Sequence, residues 1–146
     1  NFDSSAFFAS TILKNGAPSV VFSNRATLYL AKNALAQEKN NAPDLLINCI
    51  NTAEDQNGAE AMYLLANHLY REKQYKSSLE MLFELNNKFP NYEVWLGKSF
   101  LLISDNYLNL NENYQAKATL VSIIERASDK ALIEVAKEKL AKIETE

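Results

Sequence analysis

The amino-acid sequence predicts an all-α protein, built of antiparallel helix pairs stacked in series as an alpha-alpha solenoid, and three observations carry that reading. First, the stretch from Leu28 to Lys39 can be laid over Met62 to Lys73 without a gap. Half the aligned positions agree: Tyr29 with Tyr63, Leu30 with Leu64, Asn33 with Asn67, Leu35 with Leu69, Glu38 with Glu72 and Lys39 with Lys73. An interval of roughly 34 residues is the length of a helix–turn–helix unit, which cannot bury its apolar face alone and stacks on its neighbours. Second, the protein holds only 3 Gly and 3 Pro, too few for a turn-rich β fold. Third, no segment alternates apolar and polar residues over a useful strand length.

Each element follows from local signals. Asp3 or Ser4 can cap a short helix carrying Phe7, Phe8, Ile12 and Leu13, with Gly16 to end it. Pro18 fits the opening of a long helix through Gln37, in which Val21, Leu28, Ala31 and Leu35 recur at helical spacing. Asn40-Asn41 interrupts it. Pro43 suits the first turn of the next helix, where its missing N–H costs nothing. That helix carries Leu45, Leu46, Cys49 and Ile50 and fades at Asp55-Gln56-Asn57-Gly58.

From Ala59 a further helix presents Met62, Leu65, Ala66 and Leu69 on one face and ends near Lys73. Tyr75, Leu79, Leu82 and Leu85 do the same for its successor, which Phe89-Pro90 stops because Pro disfavours helix at the residue before it. A long helix over roughly Tyr92 to Leu110 includes Trp95, Leu96, Phe100 and Ile103. After Asn111-Glu112-Asn113 comes a helix from Tyr114 to Ala127 with Ala118, Val121 and Ile124 on one side. Ser128 or Asp129 caps the last helix, to about Ile143, which reads Ala131, Leu132, Val135, Ala136, Lys139, Leu140 and Ile143 and has one apolar stripe. Its other side is charged, as expected of a helix that closes a solenoid end.

Composition narrows the functional classes. At 146 residues and 47% hydrophobic, the protein is able to bury a core as one domain or as a piece of a longer array. Net charge is −3 and the 15 Lys and Arg are scattered, so no basic face for nucleic acid is expected. No apolar run approaches the roughly 18 residues a membrane span needs. Cys49 stands alone, without a nearby cation, and reads as a small buried apolar residue. The sequence begins Asn1-Phe2-Asp3, without Met, basic n-region or signal segment, and reads as a fragment or processed product.

The stretch Ala59 to Pro90 resembles a tetratricopeptide (TPR) repeat. That family places a large residue, Leu, a small residue and an apolar residue along its first helix, where Met62, Leu65, Ala66 and Leu69 stand. Its Tyr near the start of the second helix matches Tyr75, and its closing Pro matches Pro90. The sequence departs where the family favours Ala, carrying Ser78 and Leu85. Residues from Leu28 to about Asp55 resemble a weaker copy. The ungapped register puts Lys32 at the small position; a one-residue slip puts Ala31 there instead. Residues 93 to 127 resemble a third copy, with Tyr114 matched to Tyr75 and extra residues absorbed in the long helix.

The resemblance implies a short right-handed TPR-like superhelix forming a single domain over 1–146. Its repeats fall at about 19–57, 59–91 and 92–127, and its capping helix at 129–145. The runs Gly58 to Ala66, Trp95 to Phe100, Tyr114 to Leu120 and Ala136 to Leu140 are similar to the C-terminal part of large multi-repeat TPR proteins of the bacterial cell envelope. A periplasmic or outer-membrane-associated location is implied by that similarity; the residues themselves leave a cytoplasmic one open.

No residue pattern points to catalysis or cofactor binding. The three glycines, Gly16, Gly58 and Gly97, cannot supply a phosphate loop. One His and one Cys make no ordinary zinc site, and His68 reads as a surface or groove residue. Glu134 and Glu138 share a helix face, beside Lys137 and Lys139, and read as solvated.

The alignment places Asn33, Asn67 and Asn106 at one equivalent position, which in the family faces the concave groove. Amides there can donate to and accept from an extended peptide backbone. The groove would add Tyr29, Tyr63, Tyr70, Arg71 and Leu102, an aromatic and apolar lining suited to a helix or peptide. It lacks the Lys and Arg clamp of chaperone-binding relatives.

The expected function is a non-enzymatic protein–protein interaction scaffold or adaptor in an envelope assembly, without cofactor, metal, nucleic acid or small-molecule substrate. Two alternatives stay open. One is a structural end-segment whose groove is filled by its own helices, Phe2, Phe7, Phe8 and Ile12 being the residues to watch. The other is a regulatory domain attached to an enzyme.

Overall fold

A computed structural model describes residues 20–145, with side chains from Ser23 onward. The helix expected around Phe7 and Phe8 lies outside the described residues. Within them the protein is all-helical, with no strand: α1 (Val20–Ala36), α2 (Ala42–Thr52), α3 (Gln56–Arg71), α4 (Tyr75–Lys88), α5 (Glu93–Asn109), α6 (Asn113–Arg126) and α7 (Lys130–Thr145). Helices adjacent in sequence pack together: α1 on α2, α4 on α5, α5 on α6 and α6 on α7. Two compact units divide the protein, one ending at Leu65 and the other beginning at Ala66, so that the division falls within α3.

Three turns share one geometry. Glu38, Lys73 and Asn111 all take positive φ, at 52°, 62° and 61°. In each turn the left-handed residue donates its N–H to the carbonyl three residues back: Glu38 to Leu35, Lys73 to Tyr70 and Asn111 to Leu108. The next residue donates to the carbonyl five back: Lys39 to Ala34, Gln74 to Leu69 and Glu112 to Tyr107. This is the Schellman arrangement that satisfies the free carbonyls of a helix end. It closes α1, α3 and α5.

A lysine with a left-handed backbone is strained, because Cβ crowds the following carbonyl oxygen. Lys73→Gly is therefore expected to raise stability by about 0.5–1 kcal/mol in denaturant titrations. Asn111→Gly should gain less, since Asn tolerates this conformation.

The turns also set the structural register. Superposing Glu38 on Lys73 needs an offset one residue longer than the sequence repeat, and superposing Lys73 on Asn111 one residue shorter than the Tyr75–Tyr114 match. In this register Ala31, Ala66 and Ser104 are equivalent, and all three are completely buried. The slipped alignment is thus the structural one for the first pair. Tyr114 does not replace Tyr75: it is 83% exposed, and Asn113 opens α6 where Tyr75 opens α4.

In the first unit the buried side chains include Leu28, Ala31 and Ala34 of α1, Leu46 and Cys49 of α2, and Ala59, Ala61, Met62 and Leu65 of α3. Pro43 lies in the first turn of α2, as its missing N–H favours. The expected loop at Gln56-Asn57-Gly58 is instead the start of α3. Asp55 caps it, its Oδ1 accepting the Asn57 N–H at 2.9 Å, so the Asn-Gly pair is drawn into the helix.

In the second unit α4 buries Leu79, Leu82 and Leu85, the stripe its sequence announces. Helix α5 buries small residues beside its apolar ones. It buries Gly97, Ser99, Leu102, Ile103, Ser104 and Asn106, while Phe100 is exposed and Trp95 half-buried. The reason is crowding: α5 packs against α4 and α6, and Leu132 of α7 comes so close to Gly97 that a Cβ there would meet Leu132 Cδ2 at 2.7 Å.

Helix α6 also turns a different face inward. Ala116, Leu120 and Ile123 are buried, whereas Ala118 and Val121 are exposed. Leu120, Ile123 and Ala136 form a core cluster with Leu101, Ile124, Leu132, Leu140 and Ile143 around them. Asp129 caps α7 as expected, its Oδ1 accepting the Ala131 N–H at 2.9 Å.

Candidate functional site

The residues expected to line a groove fall into two sets, one in each unit. In the first, Tyr29 is exposed near the middle of α1, and the Arg25 guanidinium lies 5.7 Å from its ring centroid. Arg25 Nη2 also donates to the Tyr29 hydroxyl at 3.3 Å. Tyr63 is half-buried on α3. Asn33 is buried, and its Oδ1 finds no hydrogen-bond partner among the described residues. Beside it, Lys32 Nζ meets Glu60 Oε1 at 3.1 Å and joins α1 to α3.

In the second unit Asn67 and Tyr70 are half-buried and Arg71 is exposed. The Tyr70 hydroxyl accepts from Asn109 Nδ2 at 3.0 Å, and its ring meets Tyr75 edge-on at a centroid distance of 5.5 Å. Leu102 and Asn106 are buried one helical turn apart.

The register set by the turns does not make the three asparagines equivalent. Asn33 and Asn106 are equivalent in the turn-set register, where Asn67 stands one residue earlier, level with Lys32 and Asp105. Asn33 and Asn106 accordingly point into packed interior, while Asn67 keeps partial exposure. Two of the three amides are therefore withdrawn from solvent. Periodicity missed this because one misplaced residue rotates a helical position by about 100°.

What Asn106 does instead is join three helices. Ser78 Oγ of α4 donates to the Ala66 carbonyl of α3 at 2.8 Å. Asn106 Nδ2 of α5 donates to Ser78 Oγ at 2.9 Å and to the Leu102 carbonyl at 3.0 Å. Both side chains are fully buried, so these bonds act in a low-dielectric setting. The sequence did carry a signal for this: Ser78 is where it departs from the Ala of the TPR pattern.

The other polar link is ionic. Lys139 Nζ of α7 meets Asp105 Oδ1 at 2.9 Å and Oδ2 at 3.2 Å, with both side chains about a third exposed or less. A partly exposed pair of this kind contributes up to about 1 kcal/mol.

Groups with chemical potential lie in quiet surroundings. Glu134 and Glu138 are exposed, and Glu134 pairs with Lys137 at 3.5 Å. His68 is half-buried on α3. Among the described residues no three His, Cys, Asp or Glu side chains gather closely enough to hold a metal ion. None of the described helices is long and apolar enough to cross a membrane.

Cys49 is fully buried, with Sγ 3.9 Å from the Asn24 carbonyl oxygen and 3.8 Å from that of Asn57. Burial first, then the carboxylates of Asp55 and Glu60, push its thiol up from 9.0 to about 11. The unfolded thiol therefore loses its proton before the folded one, and stability falls as pH rises from about 9 towards 11. The loss is on the order of 2 kcal/mol. Denaturant titrations at both ends of that window should show a steeper fall in the wild type than in Cys49→Ala, which lacks the titrating group.

Comparison with family models, with curated proteins and with solved structures gives no match.

Proposed function

We propose that the protein is a non-enzymatic protein-interaction module of the TPR kind, with its helix pairs in the right-handed sense of that family. The observation that carries this reading is the repeated turn: Glu38, Lys73 and Asn111 close three helices with the same pair of backbone hydrogen bonds. Recurrence of the same turn after α1, α3 and α5 supports a repeat reading, and repeat proteins present side chains from successive first helices to a partner. The candidate contact residues are those that keep exposure there: Tyr29 and Tyr63 in the first unit, Asn67, Tyr70 and Arg71 in the second. They combine aromatic area with adaptable polar groups, as recognition surfaces do. Asn33 of the first unit and Leu102 and Asn106 of the second are buried. The partner is a protein or peptide, and the setting a cell-envelope assembly at the periplasm or outer membrane.

Affinity capture from the source cell's envelope fraction, quantified by mass spectrometry, tests this. A partner enriched by the wild type should be lost with Tyr70→Ala and Arg71→Ala, and retained with the exposed α7 variant Lys142→Ala. Retention by all three variants would remove the surface from consideration.

One observation favours a structural end-segment as a second reading: α7 engages Asp105 and covers Gly97 with Leu132, so α5 is partly occupied by the protein's own last helix. Capture that improves when α7 is loosened by Lys139→Ala would support that reading.

A further inference from the structure

Asn57-Gly58 is an Asn-Gly pair, the dipeptide most prone to deamidation in an unfolded polypeptide, since glycine has no side chain to shield its backbone nitrogen. In the folded protein several contacts restrain it. Asn57 is 8% exposed. Its N–H donates to Asp55 Oδ1 at 2.9 Å and its Nδ2 to Asp55 Oδ2 at 3.2 Å. The Gly58 N–H, which must lose its proton to act as nucleophile, donates to the Asp55 carbonyl at 3.0 Å. The Asn57 carbonyl faces the buried Cys49 thiol, so that α2 packs against this turn.

We propose that Asn57-Gly58 is a folding-gated deamidation site: the first turn of α3 holds it inert, and opening of that turn releases a one-way modification. In the opened state the Gly58 nitrogen attacks Asn57 Cγ. A bond forms between the Gly58 nitrogen and Cγ, the Cγ–Nδ2 bond of Asn57 breaks and ammonia leaves, giving a succinimide. Water then opens the ring to aspartate or isoaspartate, with no change of oxidation state. Either product places a carboxylate where the Asn57 amide now donates to Asp55, setting like charges together in a partly buried turn. Isoaspartate also lengthens the backbone inside that turn. The modified protein therefore loses the Asn57 Nδ2–Asp55 bond and meets carboxylate repulsion in its place, which weakens the Asp55 cap, so that a transient opening leaves a lasting mark on the first unit.

The test follows amide-to-acid conversion at Asn57 by peptide mapping of the intact protein at mildly alkaline pH, with and without denaturant. The peptide carrying Asn57 is resolved from the one carrying Asn15-Gly16. Native Asn57 should convert at least roughly tenfold more slowly than denatured Asn57, the protection a local opening equilibrium gives. Asp55→Ala, which removes the cap, should speed native conversion by roughly fivefold and raise Cys49 reactivity towards a thiol reagent in parallel. Gly58→Ala, read in denaturant where folding is immaterial, should slow conversion. Equal native and denatured rates would overturn the proposal. So would an Asp55→Ala protein whose Cys49 becomes reactive while Asn57 converts no faster.

Discussion

Leu120→Ala is expected to lower stability by about 2–5 kcal/mol, the range for truncating a fully buried leucine. Leu120 is completely buried at the centre of the cluster that joins α5, α6 and α7, with Leu101, Leu132, Leu140 and Ile143 around it. Removing its branched end takes apolar contact from all three helices and leaves a cavity that packed neighbours can fill only partly. Helix α7 should suffer most, because Ala136 is its one fully buried residue and the Asp105–Lys139 pair is worth too little to hold it alone. Hydrogen exchange should therefore show α7 losing protection before α4. Val121→Ala is the internal comparison. Val121 is 38% exposed, about 100° round the helix from Leu120, and its truncation should cost well under 1 kcal/mol. Similar losses in the two variants would mean that α6 does not turn Leu120 inward.

Asn106→Ala is expected to cost about 2–3 kcal/mol, since it deletes the Nδ2 bonds to Ser78 Oγ and the Leu102 carbonyl and leaves space in a closed interior. Ser78→Ala should cost about 1–2 kcal/mol: it restores the residue the TPR pattern favours but strips Asn106 of one acceptor. The double variant should cost less than the two losses added together, by about 1 kcal/mol, because the shared bond is lost only once. Denaturant midpoints of the four proteins measure this coupling. Additive losses would show that Ser78 and Asn106 act independently and that the α3–α4–α5 link contributes nothing of its own.

Much of the helical layout was legible in the order of residues. Pro43 and the Asp129 cap sit where local chemistry puts them, and the stripe of Leu79, Leu82 and Leu85 faces inward as its period demands. Errors arose where local signals were degenerate. Asn57-Gly58 has the composition of a loop, yet the Asp55 cap and the packing of Cys49 against the Asn57 carbonyl pull it into α3. Helix α6 offers two apolar stripes, and periodicity alone cannot choose between Val121 and Leu120.

The candidate surface was less legible than the helices. Aligning identical residues sets one register and the turns set another, because identity at Asn33 and Asn67 outweighed the small buried residue of each helix. Ala31, Ala66 and Ser104 share that role, and the turns at Glu38, Lys73 and Asn111 reveal it through backbone hydrogen bonds that leave no residue-type signature.

By itself, the sequence determined that this protein is helical and where nearly all its described helices begin and end. Caps, prolines and apolar period act within a few residues and need no partner. Only the tertiary structure decided which stripe of α5 and α6 turns inward, which residues are equivalent between pairs, and that Asn106 ties helices together rather than facing solvent. Those outcomes depend on how closely neighbouring helices approach, and that distance is set by pairs such as Gly97 with Leu132 and Ser78 with Asn106, which are far apart in the sequence.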